Sequence, residues 1–392
     1  MILADTLSII AWSVALPMLV LLAWLIIELL AGLFRSKSSR PNSAVSSHTI
    51  AFLIPAHNEA AVIAATIRDL KLKAFGSRIL VVADNCHDET AHQARMAGAQ
   101  VAVRTDSDRR GKGYALAFGR DVLAKTPPSI VVVLDADCTV SHTFTPAISA
   151  AVAQHGHPAQ ASNLFVPDRT LTTPVQISNF AMLVKNLFRM RGLARLGNTV
   201  ALLGTGMAFP WSDFTKLKLA TGDATEDIKL TLDMIAQGSR VTFAPDAQVW
   251  SRAESANDTV TQRQRWEHGF LGHSVKHGLP NLFHGLLSRS RSQIALALHM
   301  LVPPIALLYL VVGVAIGITG CAAILGGSVL PVSMLAAAAL ALTLLIGIAY
   351  VSNGRPYLSP KAIATAPFYI AWKLPIYLGL FTRRQSSWQD QQ

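Results

Sequence analysis

Charge is scarce: Asp, Glu, Lys and Arg make up 15% of the 392 residues, where soluble domains carry about 25%. Together with 51% hydrophobic residues, that shortage excludes intrinsic disorder and points to segments that live in lipid. Cysteine is scarcer still. Cys86, Cys138 and Cys321 are odd in number and far apart. They make neither a disulfide framework nor a Cys-x-x-Cys metal site, and they fit a reducing compartment. Glycine has no three-residue period, which excludes collagen. Neither a Gly-x-x-x-x-Gly-Lys-Ser/Thr loop nor a Gly-x-Gly-x-x-Gly opening a helix is found, so nucleotide hydrolysis and NAD chemistry lose their usual support. Acidic residues are the minority among the charges, 23 against 34 basic, leaving +11 with histidine neutral. That surplus suits an anionic membrane surface or a phosphorylated substrate, with nucleic acid a third option.

What is abundant is apolar sequence. Residues 7–34 are almost wholly apolar, interrupted by Ser8, Ser13, Pro17 and Glu28, and can cross roughly 30 Å of hydrocarbon as a helix. A cleaved signal peptide is the rival, but no basic residue precedes the run and its apolar part is too long. Arg35, Lys37 and Arg40 follow, so the positive-inside rule places what comes next in the cytosol. After Arg289 and Arg291, residues 294–318 and 330–350 each reach spanning length, joined by the uncharged stretch 319–329 and followed by Arg355 and Lys361. This charge pattern predicts a hairpin that leaves the cytosol and returns. Residues 367–381, broken by Lys373 and Pro375 and ending before Arg383-Arg384, are expected to lie in the interface.

Between these blocks the chain reads as a soluble α/β domain. Short β-rich runs (49–54, 79–83, 130–134) alternate with helical stretches such as 60–70, which argues for a mainly parallel mixed sheet flanked by helices. The expected division is residues 1–41 as anchor and linker, 42–290 as catalytic domain, and 291–392 as hairpin and tail. Ligands in such sheets bind beyond the carboxyl ends of the strands. Three of those ends are acidic: Ile54-Pro55-Ala56-His57-Asn58-Glu59, Ala83-Asp84-Asn85-Cys86-His87-Asp88 and Leu134-Asp135-Ala136-Asp137. Clustered carboxylates cost free energy unless a cation or a donor-rich ligand offsets them. The alternate carboxylates of Asp135 and Asp137 can reach a hard divalent ion that also holds a diphosphate. Gly111-Lys112-Gly113, after the basic stretch 104–110, combines close backbone approach with a phosphate-neutralising ammonium. Thr225-Glu226-Asp227 opens a helical stretch where a cap and two acids suit the dipole. Gln262-Arg263-Gln264-Arg265-Trp266 supplies an amide, a guanidinium fork and a large ring, groups suited to a diphosphate and a sugar.

In this order, across about residues 50–269, the set resembles the membrane-bound branch of the family 2 glycosyltransferases. That branch has a GT-A catalytic domain and includes cellulose-synthase-like and ceramide-glucosyltransferase-like enzymes. The resemblance implies that Pro55, His57, Glu59, Asp84, Lys112 and Asp135 bind a UDP-sugar. It implies that Asp135 and Asp137 hold Mg²⁺ or Mn²⁺, and that Asp227 is the general base. Glu226, Gln262, Arg265 and Trp266 would then lie against the acceptor and diphosphate. His57 stands where many relatives carry Tyr, which alters stacking on the base.

His268, His273 and His277 could suggest a second metal site, but the Asp pair already supplies one. Residues 174–198 mix an apolar stripe (Ile177, Phe180, Val184, Leu187, Phe188) with Lys185, Arg189, Arg191 and Arg195, the pattern of a helix on an anionic membrane; core packing is the rival. Gly204-Thr205-Gly206 has the flexibility of an acceptor-side loop. The expected function is inverting transfer of a hexose-type sugar to a lipid-linked or glycan acceptor at the cytosolic face of a bacterial-type inner membrane. Membrane lipids are expected partners and nucleic acid is not. Three spans favour single addition over a processive synthase, which would need an oligomer or an export partner. A sugar-nucleotide-binding assembly subunit is the alternative without turnover, and the intact acidic and basic positions argue against it. A small transporter is weaker still, because Glu28 and His299 alone stand near span ends.

Overall fold

The computed structural model describes residues 2–34, 48–222, 226–252 and 256–374 together with Tyr377; for residues 226, 256–268, 273 and 372 it describes the backbone alone. Along the chain, α1 (Ile2–Leu33) precedes β1 (Ile50–Ala56), α2 (Ile63–Lys73), β2 (Arg78–Asp84), α3 (Thr90–Met96), β3 (Gln100–Arg104) and α4 (Lys112–Leu123). There follow β4 (Ile130–Val133), β5 (Cys138–Val140), α5 (Phe144–His155), β6 (Ala159–Phe165), α6 (Thr173–Leu183), α7 (Met190–Gly197), β7 (Met207–Pro210) and α8 (Trp211–Phe214). The remainder is α9 (Glu226–Ala236), β8 (Thr242–Ser251), α10 (Ala256–Leu287), α11 (Arg291–Leu301), α12 (Ile305–Ile324), α13 (Leu330–Ala349) and α14 (Pro360–Trp372). These elements fall into two units: one within residues 48–166 and 198–252, the other within 2–34, 167–197 and 256–374. The stretch 42–290 contributes to both.

The first unit is built on an eight-stranded sheet of order β3-β2-β1-β4-β7-β6-β8-β5. β3, β2, β1 and β4 are parallel, with Ala51 beside both Arg78 and Val131. Their carboxyl ends therefore share one edge. β7 runs antiparallel to β4 and β6, while β6 and β8 are parallel. Ile130-Val131-Val132-Val133 is buried along its whole length, as β-branched residues are in a sheet covered on both faces. One core cluster joins Phe52, Ile54, Ile63, Ile67, Val132 and Phe144.

Among its described residues the second unit holds three helices long and apolar enough to cross a membrane, Ile2–Leu33, Ile305–Ile324 and Leu330–Gly354. The middle one differs from the expected run 294–318. Ser290 caps α11, and α11 ends at Leu301 with Val302 extended. Pro303 disfavours helix at the residue before it, and the next helix starts after Pro304. Residues 174–198 do not form a surface helix either. They form α6, a π-helical turn (Val184–Arg189) and α7, with Phe180, Val184, Leu187 and Phe188 buried inside their own unit. The reason is a close crossing with α1. A Cβ on Gly32 would lie 1.9 Å from the Phe188 carbonyl oxygen, and one on Gly192 1.9 Å from that of Glu28. At this crossing Arg189 Nε donates to Glu28 Oε2 at 2.6 Å and its Nη2 to the His299 carbonyl at 3.0 Å. His299 Nδ1 lies 2.5 Å from Glu28 Oε1. All three groups are buried. The two polar residues noted at span ends are thus partners.

Candidate active site

The site begins where β1 and β2 stop. Asn58 and Asn85 turn the chain there with φ of 56° and 50°, a left-handed conformation that asparagine tolerates better than most residues. Asn58 Oδ1 accepts from the His87 amide at 2.9 Å, and His57 Nδ1 donates to the Asp84 carbonyl at 2.7 Å. The Asp84 carboxylate faces Arg104: Nη1 lies 2.6 Å from Oδ1, and Asn85 Nδ2 lies 3.1 Å from the same oxygen. Arg104 also donates to Asp106 Oδ2 at 3.0 Å and to the Arg109 carbonyl at 2.7 Å, with its guanidinium 5.6 Å from the Tyr114 ring centre. Burial raises the Asp84 carboxyl above the ordinary carboxylate range, and the Arg104 guanidinium only partly offsets this. Pro55 is half-buried at the end of β1, and the Glu59 amide is held by Thr90 Oγ1 at 2.7 Å.

A second cluster forms where β4 stops. Lys112, the first residue of α4, places Nζ 2.5 Å from Asp135 Oδ1 and 2.8 Å from the Gly204 carbonyl. The Asp135 amide donates to Thr205 Oγ1 at 3.0 Å. Only glycine fits at 113, since a Cβ would lie 2.3 Å from the Leu219 carbonyl oxygen. Asp227 is the second residue of α9, and its Oδ1 accepts from the Ile228 amide at 2.8 Å. A Cβ on Gly204 would lie 3.6 Å from Asp227 Oδ2 and 3.7 Å from Lys112 Nζ. The carboxylate and the ammonium converge on one point. Asp137 is half-buried one residue before Cys138, whose sulfur lies 3.4 Å from Asp137 Oδ1. Burial, reinforced by the charges of Asp137 and Asp135, holds the Cys138 thiol well above the usual thiol range, so it stays protonated.

The structure therefore gathers His57 with Asp84, and Lys112 with Asp135 and Asp227. The side chains of Glu226, Gln262, Arg265, Trp266, His268 and His273 lie outside the described residues, as does Thr225; Gln262, Arg265 and Trp266 belong to α10, in the other unit. Three contributors escaped the sequence reading: Arg104 was seen only as part of a basic stretch, Gln160 not at all, and Thr205 only as a flexible loop.

A divalent ion fits the donor set. No cluster of three or more His, Cys, Asp or Glu gathers around one point among the described residues. Mg²⁺ characteristically takes one or two carboxylates and completes its shell with water and substrate phosphates. Asp135 and Asp137 offer two such hard oxygen donors on one edge, beside an ammonium suited to phosphate.

Residues 48–269, more than half of the chain, match the model of the family described as glycosyltransferase like family 2. The chain belongs to that family. It is a transferase with a GT-A-like fold. No curated protein matches it in sequence. Among solved structures, it resembles a mannosyltransferase from Pyrobaculum calidifontis bound to GDP-mannose and Mn²⁺, at 17% identity and a TM-score of 0.55, over 88% of this chain and 98% of that one. A glucosyl-3-phosphoglycerate synthase from Mycobacterium tuberculosis, bound to Mn²⁺, UDP and phosphoglyceric acid, matches at 20% identity and a TM-score of 0.41, over 61% of this chain and 84% of that one.

Proposed function

We propose that this glycosyltransferase moves a hexose from a UDP-sugar to a lipid-linked or glycan acceptor, inverting the anomeric centre, at the cytosolic face of a bacterial-type inner membrane. The observation that carries the reading is the convergence of Asp227, Lys112 and Asp135 around Gly204. Direct displacement needs a base for the acceptor hydroxyl on one side and a partner for the leaving diphosphate on the other. Asp227 is the base and Lys112 the partner. Pro55, His57, Glu59 and Asp84 take the nucleotide end, and Glu226, Gln262, Arg265 and Trp266 the acceptor side. Asp135 and Asp137 hold Mg²⁺ or Mn²⁺, which when bound offsets charge developing on the diphosphate.

Asp227→Asn keeps the shape and removes the basic oxygen. Transfer is expected to fall about 10²- to 10⁴-fold, while calorimetry still reads UDP binding. A donor with an α linkage is expected to give a β-linked product. Near-normal turnover in the variant, or a retained linkage in the wild-type product, overturns the mechanism. EDTA is expected to abolish transfer and Mn²⁺ or Mg²⁺ to restore it, so full activity in EDTA counts against the carboxylate assignment.

A further inference from the structure

We propose that Gln160 is a positioning residue for transfer, acting through the turn at residues 203–206; the inference rests on Lys112 as diphosphate partner and Asp227 as base. Gln160 lies in β6 and is wholly buried. A buried amide must spend its donors and acceptor inside the protein. Its Nε2 donates to the Thr205 and Ala161 carbonyls, both at 2.9 Å, and its Oε1 accepts from the Leu203 amide at 2.9 Å. Two of the three bonds end on the turn.

The turn needs such a tie. Gly204 and Gly206 both adopt left-handed conformations, φ 78° and 65°. At Gly206 a Cβ would lie 2.7 Å from Val249 Cγ2 and 3.0 Å from the Ala161 Cβ, so the backbone passes too close for any side chain. Sheet bonds hold the far end, where the Gly206 amide donates to the Val133 carbonyl at 2.9 Å. The near end is held by side chains: Gln160 at Leu203, and Thr231 Oγ1 at the Leu202 amide.

From this turn each working group is set. The Gly204 carbonyl accepts from Lys112 Nζ, Thr205 Oγ1 accepts from the Asp135 amide, and a Cβ on Gly204 would lie 3.6 Å from Asp227 Oδ2. Thr231 ties the same segment to Asp227 by donating to its carbonyl at 2.8 Å. A displaced turn therefore alters the spacing of base and diphosphate partner without touching His57, Asp84 or Arg104. An amide suits this position because it donates to two carbonyls while accepting from an N–H; a carboxylate would oppose both carbonyls.

The test uses the full chain in lipid nanodiscs. Gln160→Met keeps the bulk and deletes all three bonds. Transfer from a UDP-hexose to the lipid extract that supports wild-type turnover is read as kcat, UDP affinity by calorimetry, and the Leu203 amide by hydrogen exchange. A shift of about 1 Å in reacting groups is expected to lower kcat about a hundredfold. Exchange at Leu203 is expected to speed up about tenfold on loss of its acceptor, with the UDP Kd within about threefold of wild type. Unchanged kcat, unchanged exchange, or UDP affinity falling in step with kcat overturns the proposal. Should Gln160→Met fail to fold, Gln160→Leu, which likewise deletes all three bonds, carries the same three readouts. Normal turnover in Asp227→Asn would instead remove the base assignment, leaving the exchange and kcat-against-Kd results for Gln160 to stand or fall separately.

Discussion

Arg104 shows how one side chain can organise the edge to which the proposed function assigns the nucleotide. It joins the end of β2 to the loop that leads into Lys112 through Asp84, Asp106 and the Arg109 carbonyl. Removing one partner of a buried pair leaves the other charge uncompensated, at about 3–5 kcal/mol. Arg104→Met is expected to lose stability of that order in urea unfolding, and to weaken UDP binding with it. Two neighbouring acids give opposite pH effects. The Asp84 carboxyl titrates higher folded than unfolded, so its contribution to folding is present below the ordinary value near 3.9 and is lost as pH rises through the folded one. At Asp88 burial is the largest single influence and raises the carboxyl, but the Thr90 hydroxyl, 2.5 Å away, and the Thr90 and Ala60 amides together outweigh it, so the carboxyl is lowered. That contribution is present above about 3.9 and is lost as pH falls through the lowered value. Asp88→Asn is expected to flatten the acid limb of the Tm profile between about pH 5 and 3; an unchanged slope speaks against the assignment.

At the scale of elements, α1 crosses the π-helical turn and α7 very closely, at Gly32 and Gly192. Backbone meets backbone there, so no side chain can swing aside. Gly192→Ala is expected to cost roughly 1–3 kcal/mol, read as a lower melting temperature of the detergent-solubilised chain, and Gly32→Ala should behave alike. Strand ends were legible in the sequence because β-branched runs stop abruptly at acids, as at Val133-Leu134-Asp135. The break at Pro303-Pro304 was not, because apolarity alone ignores the missing N–H. Nor was the burial of 174–198: an apolar stripe does not say whether lipid or another helix will cover it, and the two glycines that decide the matter lie 160 residues apart in the chain (192 − 32). In the active site the same rule holds. Carboxylates and Lys112 announce themselves, whereas Gln160 in a strand reads as one more polar residue until its three partners are in place.

For the whole molecule, the proposed topology puts the C-terminus in the cytosol, and a reporter fused after Gln392 should be active there and silent outside; the opposite pattern overturns it. The buried Glu28–Arg189–His299 cluster adds a consequence in time. Ribosomes make Glu28 161 residues before Arg189 and 271 before His299. At 5–20 residues per second the second interval is on the order of half a minute. For the first 161 residues of that interval the nascent segment carries a carboxyl with neither partner yet translated, and His299 is missing until its end; an acid in a span disfavours insertion by up to about 3 kcal/mol at mid-bilayer and by less near an end. Insertion would therefore be provisional until α11 emerges. Pulse-chase of stalled chains should find those ending before residue 299 degraded faster than complete ones, and Glu28→Gln should narrow the gap. The anchor that comes first in the sequence would be the last part of the molecule to become secure.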